Sequence, residues 1–226
     1  MPGWFVNYNL LIHFVFFIIT FLVCFFSFRI YRLSQQRQPK LFATSFLFIS
    51  LAFLIEAILN LLILFKINEN ISLAAKIMSV KLINLVMVNT HLILFIVGLV
   101  TLTYMTFKVR SAKIYSLLLI ITLLSVFLVS NTLYFYYLLS FILLIYICWH
   151  YLFNYLSKKR INSLLVFVAF ILLAVGNIPI LFSVMNHETF YVVGHVIELI
   201  AYTLILVNLI LVQRHEQKTR STSNRA

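Results

Sequence analysis

Residues 191–212 read YVVGHVIELIAYTLILVNLILV, with one carboxylate (Glu198) and neither Lys nor Arg. A stretch this long and this apolar crosses roughly 30 Å of hydrocarbon as a helix. Residues 46–65, FLFISLAFLIEAILNLLILF, have the same character around Glu56. The chain has only five carboxylates and no Asp, so two of the five fall inside membrane-length apolar runs. A carboxylate at membrane depth is expensive; it turns to the protein interior and has a partner or a task.

Outward from these two segments the class is uniform. Hydrophobic residues make up 64% of the 226 and charged residues 10%, a balance that excludes a soluble domain. The reading is all-α: seven transmembrane helices at about 8–30, 41–65, 77–107, 114–130, 134–156, 161–184 and 191–212. They form one domain over 1–212, and a basic, disordered cytoplasmic tail follows over 213–226. The third helix is long and expected to tilt or begin outside the bilayer. The fourth is short, with a tight Ser130-Asn131-Thr132 turn after it.

Of the 17 Lys and Arg residues, Arg29, Arg32, Arg37, Lys40, Lys108, Arg110, Lys113, Lys158, Lys159, Arg160, Arg214, Lys218, Arg220 and Arg225 share one side, leaving Lys66, Lys76 and Lys81 on the other. The positive-inside rule then predicts an N-terminus outside and a C-terminus in the cytoplasm, in a multi-pass protein of the cell membrane. The net charge of +12 reflects this topology; its partner is the anionic lipid surface and not nucleic acid. No cleavable signal is expected at the start. Cys24 and Cys148 read as packing residues, and Asn70-Ile71-Ser72 as an outer-side glycosylation triplet. IEAILNLLIL from Ile55 and IELIAYTLIL from Ile197 look alike, a match that so apolar an alphabet supplies by chance.

Topology turns sequence position into depth. His13, Glu56, Asn60, Asn84, His91, Asn177, His195 and Glu198 all map to the outer half, and one cavity opening toward the outside is expected to gather them. Glu56 and Asn60 are four apart, Asn84 and His91 seven apart; His195, Glu198 and Tyr202 fall at i, i+3 and i+7, each set on one helical face. Pro179 is expected to kink helix six and free the Val175 carbonyl. The inner half reads as dry, with His150 its one strong titrating group. His13 and His150 read as interfacial histidines, His187 as a solvated loop residue, and Lys81 as snorkelling outward.

A His-x-x-Glu turn presents an imidazole and a carboxylate together. With His91 it makes a two-histidine, one-carboxylate set suited to zinc or iron, and Glu56 is a further ligand or an orienting acceptor. The metal set is therefore Glu56, His91, His195 and Glu198, supported by Asn60, Asn84, Asn177 and Tyr202. His91 and His195 are alternatively a haem-binding pair. The plain alternative is that the glutamates only tie helices together through histidines or asparagines.

Other seven-helix families do not fit the residues. Rhodopsins need a lysine in helix seven. G-protein-coupled receptors carry motifs where this chain reads TYMTFKVR and YTLILVNLILV, and the Pro-Gln turn of sugar-carrying seven-helix proteins is reversed in Gln38-Pro39. Alkaline-ceramidase-like zinc hydrolases are similar in topology but have a His-x-x-x-His in helix seven. GHVIELIAY (Gly194–Tyr202) resembles the Gly-His-x-x-Glu segment in the last helix of seven-helix sensor regions of prokaryotic signalling proteins. That resemblance implies a stand-alone sensor-like module binding a metal, haem or small ligand and signalling through a separate cytoplasmic partner. A zinc-dependent membrane hydrolase and a small proton-coupled transporter are the alternatives, and no catalytic residue is assigned.

Overall fold

A backbone surrounded by hydrocarbon must satisfy its own hydrogen bonds, and runs of Leu, Ile, Phe and Val do so as helices. The computed structural model describes residues 6–68, 73–107, 111–129, 131–159, 161–183 and 188–223. These form α1 (Val6–Ser34), α2 (Arg37–Asn68), α3 (Leu73–Thr106), α4 (Ala112–Leu128), α5 (Thr132–Lys158), α6 (Ile161–Ser183) and α7 (Glu188–Ser223). The described residues contain no strand. Six helices are long and apolar enough to cross a membrane; α4, at 17 residues, is shorter.

The predicted order is present, with one correction at the C-terminus. The segment after Val212, expected to be disordered, continues α7 as helix to Ser223. Its polar residues extend a helix already nucleated by the apolar run, and propagation is far easier than nucleation. The Asn70-Ile71-Ser72 triplet, His187, Lys108, Arg110, Arg160 and Arg225 lie outside the described residues.

Local signals set the helix ends. Gln35 (φ 53°) and Lys159 (φ 48°) adopt the left-handed conformation that closes α1 and α5, their N–H groups donating to the Tyr31 and Tyr155 carbonyls at 2.8 and 2.7 Å. Pro39 lies in the first turn of α2, where no helical donor is lost. Asn131 caps α5 by accepting from the Tyr134 N–H at 3.2 Å. Within the helices, Thr20, Ser45, Thr101, Thr103 and Thr122 donate to carbonyls four residues back, which is how hydroxyls are tolerated in apolar helices.

Six helices close a ring. α1 packs on α2, α2 on α3, α3 on α5, α5 on α6, α6 on α7, and α7 returns to α1; α4 leans on α3 and α5 from outside. Only Thr122 and Val126 of α4 are buried. Glycines permit the closest approaches. A Cβ on Gly98 would lie 2.7 Å from Ile49 Cγ1 of α2, and one on Gly194 of α7 would run into Ile180 of α6 and lie 2.9 Å from the Gly176 carbonyl. The inward face of α1 is a seven-residue rhythm, Asn9, His13, Phe16, Thr20, Val23, Ser27 and Ile30, all buried. Leu, Ile, Val and Phe dominate the exposed surface, including Leu128, Ile161 and Leu82, as on a lipid-facing belt.

The two ends of the ring differ. The upper end is where α1, α3, α5 and α7 begin; the lower end carries the α1–α2 turn. At the lower end Arg37 Nη2 donates to the Tyr104 hydroxyl at 2.7 Å, which donates to the Ser111 carbonyl at 3.0 Å. There too Gln213, its amide oxygen turned to Arg29, accepts from Nε and Nη1 at 2.7 and 2.9 Å.

Candidate functional site

All six ring helices contribute to one cavity of about 80 Å³ in the upper half: His13 from α1, Glu56 from α2, His91 from α3, Tyr136 and Tyr137 from α5, Asn177 from α6, and His195 and Glu198 from α7. The helices lift these side chains to one level because the ring axis is the only place in an apolar bundle where their polar atoms escape lipid. Close α6–α7 packing at Gly176 and Gly194 lets Asn177 of α6 and His195 of α7 line the same cavity. Asn177 Nδ2 donates to the Leu173 carbonyl of its own helix at 3.2 Å.

Two units share the cavity. In the first, Glu56 lies between two imidazoles, with His91 Nδ1 2.8 Å from Oε2 and His13 Nε2 3.3 Å from Oε1. Both contacts are close enough for ion pairs but fall outside hydrogen-bond alignment. In the second, His195 Nδ1 and Glu198 Oε2 form a hydrogen bond of 2.8 Å across one turn of α7. His195 Nε2 is buried without a partner. The His13 and His195 rings meet edge to face at 5.6 Å, so α1 bridges the units. Tyr191 sets its ring on His195 at 4.3 Å and donates its hydroxyl to Asn9 Oδ1 of α1 at 3.1 Å.

The expected residues therefore divide. Glu56, His91, Asn177, His195 and Glu198 line the cavity. Tyr202 lies below, in the wall of a hollow of about 10 Å³ that it shares with Asn177 and Glu198. Asn60 is not among the walls, and its Nδ2 is buried without a partner. Asn84 is exposed on α3, turned away from the cavity that it was expected to support. His13 corrects the interfacial reading: it is 2% exposed and central. Its sequence signal is the rhythm of polar residues at Asn9, His13, Thr20 and Ser27, which marks the inward stripe of α1. Lys81 is exposed, in keeping with an outward side chain.

Among the described residues no three or more His, Cys, Asp or Glu side chains are arranged to hold a metal ion. Each carboxylate lies against imidazole nitrogen, Glu56 on His13 and His91 and Glu198 on His195. Haem meets a limit of volume, because pockets for drug-sized ligands span about 300–1,000 Å³ and this one holds about 80 Å³. The space suits a few water molecules, each needing at least about 10–15 Å³ of such volume.

The floor is aromatic. Phe16 and Phe53 lie 4.9 Å apart, Phe53 and Phe95 6.0 Å, Phe53 and Tyr202 5.9 Å, and Phe46 and Tyr202 6.4 Å. The hollow beneath them, about 10 Å³, is at the lower limit for one water.

A second large cavity corrects the expectation of a dry inner half. About 540 Å³ opens at the lower end, again walled by all six ring helices together with the α1–α2 turn. His150, read as interfacial, lines it with Asn154, Asn162, Ser163, Ser27 and Asn208. Of the missed amides and hydroxyls, Asn154, Asn162 and Ser163 lie close to helix ends, and Ser27 and Asn208 lie within α1 and α7.

No family model, curated protein or solved structure matches this chain.

Proposed function

We propose that this chain is a seven-span membrane protein, N-terminus outside, that works as a small proton-coupled transporter. The bundle of six long apolar helices supports the membrane setting, and α4, though short, completes an odd number of crossings that agrees with the charge bias. One observation carries the transport reading: two polar cavities lie on the axis of a closed helix ring, separated by an aromatic layer. Alternating access needs a site reachable from each side and a seal between them.

Glu56 and Glu198 are the proton-carrying groups in this reading, with His13, His91 and His195 as their exchange partners. Each carboxylate at this depth needs a proton or a positive partner, so a change of access to the cavity changes its proton content. The His/Glu pairing and the small volume favour protons and water over a metal or haem. The zinc-hydrolase alternative depends on a metal and weakens with it.

The test uses the full-length protein in liposomes with a trapped pH dye, an imposed pH gradient and a panel of small metabolites, neutral and charged. Solute-dependent proton entry, lost in Glu56→Gln and in Glu198→Gln, is expected. No proton movement above protein-free vesicles with any solute overturns the reading. Orientation is checked with single cysteines at positions 70 and 108 in a Cys24→Ser, Cys148→Ser background. An impermeant maleimide applied outside intact cells should label the first only.

A second reading has one specific support. Gly194-His195-x-x-Glu198 is formed as a unit, with His195 Nε2 free to meet a ligand. A sensor of that kind binds a solute at the upper cavity without moving it, and in liposomes yields binding with no proton flux.

A further inference from the structure

The lower cavity is more than a vestibule. Among the described residues its lining contains no Lys, Arg, Asp or Glu; it is built from Gln36, Gln38, Asn154, Asn162 and Asn208, with Ser27, Ser163 and His150. Two of its groups are buried and unsatisfied: Ser27, 1% exposed, has no partner for Oγ, and Asn208, 4% exposed, has none for Oδ1. Leaving such atoms unpaired costs about 1–3 kcal/mol each, so they mark places where something else supplies a hydrogen bond. Both residues line the cavity, from the neighbouring helices α1 and α7, while the unpaired atoms themselves are covered.

We propose that the lower cavity binds an uncharged, polyhydroxylated solute of about monosaccharide size. Three features select that class. The volume of about 540 Å³ lies within the range of small-molecule sites. Amides and hydroxyls each combine donor and acceptor in one group, as the hydroxyls of such a solute do. Among the described lining residues an ion finds no opposite fixed charge to offset its lost hydration, whereas a neutral solute does not need one. Phe42 and Tyr151 supply apolar faces for the C–H side of the molecule, and Tyr151 is held by stacking on Phe170 at 5.5 Å. The Asn154 amide, donating to Ser163 at 3.1 Å, ties α5 to α6 across the site.

Calling this ligand the transported substrate rests on the transport reading; the binding itself does not. The test is calorimetric titration of the full-length protein, in a detergent without a sugar headgroup, with sorbitol, glucose and myo-inositol. Gluconate and glucosamine serve as charged counterparts of similar size. At least one neutral probe should bind, both charged probes at least tenfold more weakly, and Ser27→Val and Asn208→Leu should each weaken the neutral ligand about tenfold. Failure of all three neutral probes, or equal binding of a charged one, overturns the proposal, and neither result depends on a variant folding. Binding only of an alkyl glucoside, added below its micellar concentration, assigns the site to a lipid headgroup and also overturns it. Neutral binding without proton-coupled uptake in liposomes leaves this site standing and removes the transport reading. Uptake of a different solute without binding here does the reverse.

Discussion

At the upper end of the ring, three imidazoles and two carboxylates crowd a cavity of about 80 Å³. At the lower end, about 540 Å³ is lined by amides and hydroxyls, with no Lys, Arg, Asp or Glu among the described residues. The upper end sets each carboxylate against an imidazole, yet leaves His13 Nδ1 and Nε2, Glu56 Oε2, His91 Nδ1 and His195 Nε2 without a hydrogen-bond partner in little space. The lower end leaves Ser27 and Asn208 unsatisfied around ample space. A tight cluster of carboxylates set against imidazoles suits the exchange of protons, and a roomy lining of amides and hydroxyls suits a solute. α1 connects the two: its inward stripe carries His13 at one end and Ser27 at the other.

If the upper cluster is self-paired, removing one member must be costlier than removing a lower-end amide. His195→Leu leaves the Glu198 carboxylate buried without its partner and should cost about 3–5 kcal/mol. Adding Glu198→Leu should recover most of that loss. Chemical unfolding of the three variants in detergent checks it, and an unrecovered double variant would mean that the pair is not the unit the geometry implies. Next comes the backbone support beneath the pair. Gly194→Ala places a methyl group against Ile180 and the Gly176 carbonyl, and should cost about 1–3 kcal/mol. The same unfolding assay reads it, and a neutral result would deny that α6 and α7 are held this close.

The lower end should behave oppositely. Asn208→Leu removes an unpaired buried amide, so stability should change by less than about 1 kcal/mol while the affinity for a neutral polyol falls. A large loss of stability instead would show that the amide is paired and the contrast between the ends false. The smallest effect is expected for Asn84→Leu. The side chain is exposed on α3, so the change should stay within about 0.5 kcal/mol and leave proton movement untouched.

Much of this fold was legible because lipid imposes one answer on the backbone. The apolar runs around Glu56 and Glu198 predicted helices, and α2 and α7 cover both. The site was legible in part. Glu56, His91, Asn177, His195 and Glu198 stood out because ionisable or amide groups at membrane depth turn inward, and all five meet in one cavity. His13 was undervalued as a lone histidine near a helix start, although Asn9, Thr20 and Ser27 repeat along its face. Asn84 was overvalued for the reverse reason: its spacing from His91 matched one helical face, but seven residues of an unstrained helix drift by about 20°, and α3 is exposed at that level.

The sequence by itself determined the helices, their number and order, and which residues are too polar to face lipid, because those follow from hydrophobic length and the cost of unpaired polar groups. Only the tertiary structure decided that six helices close a ring with α4 outside it. It alone set each glutamate on its own imidazoles, not on a common centre, and opened a neutral cavity beneath an aromatic floor. Those outcomes depend on which helices are neighbours. Neighbours are chosen by the close approach of small residues and the fit of side chains between helices, to which a single helix's own sequence is blind.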